Sequence, residues 1–274
     1  ISYITYEEEL GGGMGLLISA MVVVVIFVPG IGCWLETTSL SLTFYLYALL
    51  SLLALLNILA ALPESLPPEK RTPHEFGLHS LQFHALWKAL FGPFGFLLLL
   101  AFLMSFGLTS FEGIFGLYAL KLYGYGPERV GTVVVVIGII SATMQGVLTG
   151  PLSRRWGEAN IIKVSLLVSA IGFLLMLQAG TFPEVVLTVS FFIVSNSLLR
   201  PAISSLISKK TTIAQGKAMG LNNSFMSLGR IFGPVCAGLL FDVKISYPYL
   251  SGALVMLAGF IGSLIWLERK GSKE

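Results

Sequence analysis

The chain alternates long hydrophobic blocks with short polar breaks. Uninterrupted apolar runs predict about eight helices: Met14–Cys33, Leu40–Ala61, Phe94–Leu120, Val130–Leu152, Ile161–Ala179, Val185–Ile207, Ala218–Phe241 and Tyr247–Leu267. Each is near the roughly 20 residues that carry a helix across a bilayer core. A segment in lipid must satisfy its own backbone hydrogen bonds, so runs this long are helices.

Composition turns the pattern into a class. Of 274 residues, 55% are hydrophobic and 11% charged, and the mean hydropathy is +0.86. Soluble domains are about a quarter charged, so this chain cannot cover a globular surface with polar groups. It reads as an all-α polytopic membrane protein whose first partner is the lipid bilayer. A formal charge of +3 gives no argument for nucleic acid. Cys33 and Cys236 fall in apolar blocks, where thiols pack inertly. His74, His79 and His84 recur every five residues, a spacing that drifts around a helix and builds no ligand face. No cofactor or metal is expected. Without a nucleophile–base pair or a phosphate loop, an enzyme is not expected either.

Charge in the connections orients the spans. Twelve Lys and Arg residues, among them Lys70, Arg71, Arg154, Arg155, Lys209 and Lys210, lie on one side. Lys121, Arg129 and Lys244 lie on the other. The richer side is expected to be cytoplasmic, with both ends of the chain there, in a multi-pass protein of the cell membrane. The longest connection begins PESLPPEKRTPHE, a linker, and continues LHSLQFHALWKA, an amphipathic segment suited to the membrane surface. The expected division is 1–61, two helices of a partial bundle; 62–90, a cytoplasmic central loop; and 91–274, six helices. The opening ISYITYEEELGGG is polar and leads straight into a span, which reads as a start inside a loop of something longer.

Two segments carry a family resemblance: LTGPLSRRWGE between the second and third of the six later spans, and GLNNSFMSLGRIFGPVCAGLLFD in the fifth. They resemble the C-terminal half of a major facilitator superfamily transporter, specifically the drug:proton antiporters that include Gram-positive multidrug and quinolone efflux pumps. ALPESLPPEKR is similar to that family's central loop, FGLTSFEGIFGLYALKLYGYGPERVG to its seventh helix and SLLRPAISSLISK to its tenth. ITYEEELGGGMGLLISA followed by VPGIG resembles the approach to the fifth helix, which carries the antiporter motif. The resemblance implies a major facilitator fold truncated to helices five to twelve: the last two of the N-terminal half and the complete C-terminal half. The missing N-terminal helices would be partners of this segment. It further implies proton-coupled efflux of small amphipathic, often cationic molecules, with protons moving inward. An exporter of a specific metabolite such as a sugar or amino acid is the alternative within transport; an incomplete, inactive piece of a transporter is the alternative outside it.

The chain departs from the family pattern in places. Pro29, Gly30 and Gly32 of the fifth-helix motif survive, but Val22, Val24, Val28 and Cys33 stand where glycine is usual. Arg154 occupies a place that is often aspartate, and Ser197 one where some of these pumps carry a second membrane acid.

Glu112 is the one charged residue between Ala89 and Leu120. On a helix, Ser105, Thr109, Glu112 and Gly116 share a face at i, i+4, i+7 and i+11, expected to front a cavity or another helix. A carboxylate at a span centre costs about 2.5–3.5 kcal/mol on insertion scales. A carboxyl group held out of water also resists ionisation, so it can exchange a proton for a cationic substrate. Snorkelling towards Lys121 is the structural alternative. Arg230 sits mid-span on a face with Asn223 and Ser227; it either pairs with Glu112 or donates to helix-end carbonyls. Gly229 and Gly233, followed by Pro234, form a small-xxx-small packing motif and a candidate hinge. Asn196 either lines a cavity or is satisfied between helices. Phe111, Phe115 and Tyr118 flank the glutamate and offer faces to a lipophilic cation.

Overall fold

The computed structural model describes residues 31–32, 35, 39–61, 83–92, 94–211 and 215–271. The expected first span, Met14–Cys33, lies outside them except for Ile31 and Gly32, as does the linker over 62–82. Among the described residues seven helices are long and apolar enough to cross a membrane.

The helices follow the hydrophobic blocks: α1 (Leu40–Ala61), α2 (Phe83–Leu90), α3 (Gly95–Tyr123), α4 (Pro127–Thr143), α5 (Thr149–Trp156), α6 (Glu158–Met176), α7 (Phe182–Lys210), α8 (Gln215–Val243) and α9 (Tyr247–Gly271). The short α2 is the amphipathic segment expected at the end of the linker. The span expected at Val130–Leu152 is longer, running from Pro127 to Trp156 through a π-helical stretch, Met144–Leu148. There the Thr149 N–H and Oγ1 both donate to the Met144 carbonyl, the latter at 2.8 Å. Pro151 lies within this continuous run and does not end it.

Two helix boundaries are set by glycine. Gly124 takes the left-handed conformation (φ 66°) after α3, its N–H bonding to Leu120 while that of Tyr125 reaches Ala119. The Gly124–Leu120 bond with a left-handed glycine is the αL closure. Gly157 (φ 73°) separates α5 from α6.

The chain forms two compact units, Ile1–Leu81 with Gly126–Val135, and Gln82–Tyr125 with Val136–Glu274. The first turns of α4 group with the first unit. In the first unit Gly32 lies against α1, where an added Cβ would stand 3.4 Å from Tyr47 Cζ.

The second unit is a helical bundle. α6 and α7 form an antiparallel hairpin: Ser169 meets Ser195 at 2.9 Å and Gly172 abuts Phe192. α9 runs antiparallel to both α6 and α3, with Gly252 against Phe173 and Gly262 against Phe96. Leu97, Leu100, Phe111, Phe173, Phe192 and Ile203 fill the core. Leu187, Leu239 and Leu254 point outward, each about two-thirds exposed. A bundle that buries one set of large apolar residues and displays another is built for lipid outside.

Candidate functional site

Small residues bring α3 and α8 into contact. A Cβ added at Gly229 would stand 2.6 Å from the Phe102 carbonyl oxygen and 2.8 Å from Phe106 N. At Gly233 it would stand 2.7 Å from the Phe106 carbonyl oxygen. Polar bonds close the same seam: Ser105 Oγ donates to the Met226 carbonyl at 2.8 Å and Ser110 Oγ to that of Gly233 at 3.1 Å. Thr109 Oγ1 reaches the Ser105 carbonyl of its own helix at 2.8 Å and Gly229 at 3.3 Å. Further along, Gly113 makes room for Pro234, whose Cβ lies 3.1 Å from a Cβ built there. Contacts advance together on both helices, so α3 and α8 run parallel.

The expected stripe of Ser105, Thr109, Glu112 and Gly116 therefore divides. Ser105 is buried and Thr109 half-buried in the seam, because their hydroxyls find backbone carbonyls there; they do not front an open cavity within this bundle. Glu112 and Gly116 remain exposed. At about 100° per residue, they lie on the same side of the seam as Asn223, Ser227 and Arg230, which are also exposed. The result is a polar strip along a bundle that otherwise displays apolar side chains.

Register sets the spacing of the two charges. Gly229 lies against Phe102, Ser105 and Phe106, so Arg230 stands about five to six residues from the level of Glu112, ~8–9 Å along the axis. The guanidinium and the Glu112 carboxylate make no ion pair within 4.0 Å. An ion pair that the described residues do form is Lys209–Glu158. Arg230 is therefore a neighbour of Glu112 and not its salt-bridge partner.

Other candidates lie apart from this strip. Phe111, Phe115 and Tyr118 are buried on the core side of α3 and cannot offer faces beside Glu112. They turn inward instead, Phe111 against Phe192 (5.4 Å between ring centres) and Tyr118 against Tyr249 (4.4 Å). Asn196 is buried in α7, with Nδ2 unpartnered. Pro29 and Gly30 lie outside the described residues.

Two constellations escape sequence reasoning. Glu158, at the start of α6, accepts from Ser205 Oγ at 2.9 Å and from Lys209, tying that end to the last turns of α7. The Gly157–Glu158 helix start and the Lys209–Lys210 helix end were its available signal. Tyr123 donates to the Ala179 carbonyl at 2.6 Å, and beside it Tyr118 and Tyr249 line a small cavity with Phe115 and Met176. Nothing in the spacing foretells that Tyr249 meets Tyr118.

The sequence profile described as the Major Facilitator Superfamily matches residues 1–211 and 146–274. Multidrug resistance protein 2 of Bacillus subtilis (strain 168) is 30% identical over 274 residues, 98% of this chain and 68% of that protein. Quinolone resistance protein NorA of Staphylococcus aureus (strain COL) is 30% identical over 241 residues, covering 86% of this chain and 60% of that protein. Among solved structures, the human organic anion transporter MFSD10 (TETRAN) superposes with a TM-score of 0.61 at 25% identity, over 76% of this chain and 54% of that one.

Proposed function

This chain belongs to the Major Facilitator Superfamily, and from that membership we propose that it exports amphipathic, often cationic compounds across the cell membrane in exchange for protons. The observation that carries the reading is Glu112: a carboxylate within a membrane-spanning helix, exposed beside the α3–α8 seam and without an ion-pair partner. Such a group binds either a proton or an organic cation, and that exclusivity couples the two fluxes. The similarity to multidrug and quinolone resistance proteins supports the substrate range.

In this reading both ends of the chain are cytoplasmic, because the basic residues of the connections gather on that side. Residues 1–61 contribute to an N-terminal bundle, 62–90 form the central loop and 91–274 the C-terminal bundle. Transport is a rocking of bundles about a midplane site. The Gly229–Gly233 contact keeps α3 and α8 moving as one body, which preserves the Glu112 strip through the cycle.

The test is efflux of ethidium from cells expressing the full reading frame, with and without a protonophore. Export that stops when the proton gradient collapses is expected. Export that continues unchanged rules out proton antiport.

A further inference from the structure

The cation-efflux reading gives a role to Glu112 and none to Arg230. Arg230 is exposed in mid-span, next to the glycine that seats α8 on α3. An ionisable residue in a span ordinarily pairs or faces an aqueous cavity, and among the described residues this one has no carboxylate within ion-pair distance. Its backbone stands ~8–9 Å along the axis from that of Glu112, so the two charges mark opposite ends of one strip.

For a purely cationic substrate Arg230 is a liability, since a fixed guanidinium on the same strip as the carboxylate repels the ligand. The strip instead carries one charge of each sign and is neutral overall. Between them its floor is small and open: Gly113 and Pro234 form part of it, and nothing lies within 4 Å of a Cβ built at Gly116. Asn223 and Ser227 continue the polar edge below Arg230. A guanidinium held away from protein carboxylates is suited to forked recognition of a carboxylate brought by a ligand.

Resting on the efflux reading above, we infer that the α3–α8 strip binds amphipathic zwitterions, Glu112 taking the substrate's cationic group and Arg230 its carboxylate, so that Arg230 determines specificity for acid-bearing amphiphiles. A substrate with both charges satisfies both side chains at once and leaves neither ion unmatched.

Rhodamine 110 and its methyl ester, rhodamine 123, test this, because they differ in whether the benzoate is free. In vesicles carrying the full-length protein, the free acid should show an apparent KM roughly tenfold below that of the ester. Arg230→Gln should bring the ratio of the two to about one, with Arg230→Lys retaining part of the preference. Equal KM values for the two dyes in the unmodified protein overturn the inference, whatever the folding of the variants. So does a preference that Arg230→Gln leaves unchanged. Protonophore-sensitive export of both dyes without preference would sink the zwitterion site alone; export of both that ignores the protonophore would bring down the antiport reading and this inference with it.

Discussion

Gly229→Ala probes the α3–α8 seam with a single methyl group. The added Cβ would stand 2.6 Å from the Phe102 carbonyl oxygen, about 0.7 Å inside the roughly 3.3 Å of a close carbon–oxygen contact. Its other near neighbours, Phe106 N at 2.8 Å and Ser105 Cβ at 2.9 Å, are also on or next to the backbone, so no flexible side chain can yield. The helices must separate locally. Overpacking of this kind costs about 1–3 kcal/mol. Separation also lengthens the Ser105–Met226 and Thr109–Gly229 bonds, each worth about 0.6 kcal/mol on average in a membrane protein. Against this stands the gain of about 0.5–1 kcal/mol for alanine over glycine in a helix. The balance is a loss of about 1–3 kcal/mol, or ~3–10 °C in the melting of a domain of this size. Size-exclusion thermostability in detergent reads it directly. Gly116→Ala is the control, since its Cβ would meet nothing within 4 Å; it should melt at or slightly above the unmodified protein. If Gly229→Ala melts with the control, the close contact does not exist.

Three further outcomes are expected. Tyr249→Phe should melt no lower than the unmodified protein, because it removes a buried hydroxyl that has no partner; a loss above about 1 kcal/mol would mean the hydroxyl is bonded after all. Thr181→Ala should cost about 1 kcal/mol by scanning calorimetry, because it opens the capping box in which Thr181 and Glu184 hold the start of α7; no change would mean the box is not stabilising. Lys209→Ala should cost less than about 1 kcal/mol, and less again in high salt, because the lysine side chain is 62% exposed although its partner Glu158 is only 12% exposed; a larger, salt-independent loss would make this pair a strut.

The spans were legible because each is a block of apolar residues bounded by charge, a property that survives ignorance of every contact. The end of the span expected at Val130–Leu152 was not: the helix runs on to Trp156 through a π-helical stretch that no apolar pattern announces. Glu112 announced itself as a charge within an apolar run. The fate of its stripe depended on which face of α3 meets α8, and Ser105 and Thr109 went to the seam for carbonyls that no pattern displays. Phe111, Phe115 and Tyr118 were adjacent to Glu112 in number but lie about 60–120° round the helix from it, on the side that faces Phe192 and Tyr249. Gly229 and Gly233 were readable as a packing motif; their partners Phe102 and Phe106 were not, because the other half of a helix contact is written more than a hundred residues away.

The central claim is that the Glu112 carboxyl exchanges a proton for substrate. Full-length protein in liposomes loaded with a pH-sensitive dye reports it directly, as the proton movement that follows addition of a lipophilic cation. The account predicts substrate-driven proton flux in the unmodified protein and none in Glu112→Gln at equal reconstitution. Undiminished flux in Glu112→Gln would contradict it.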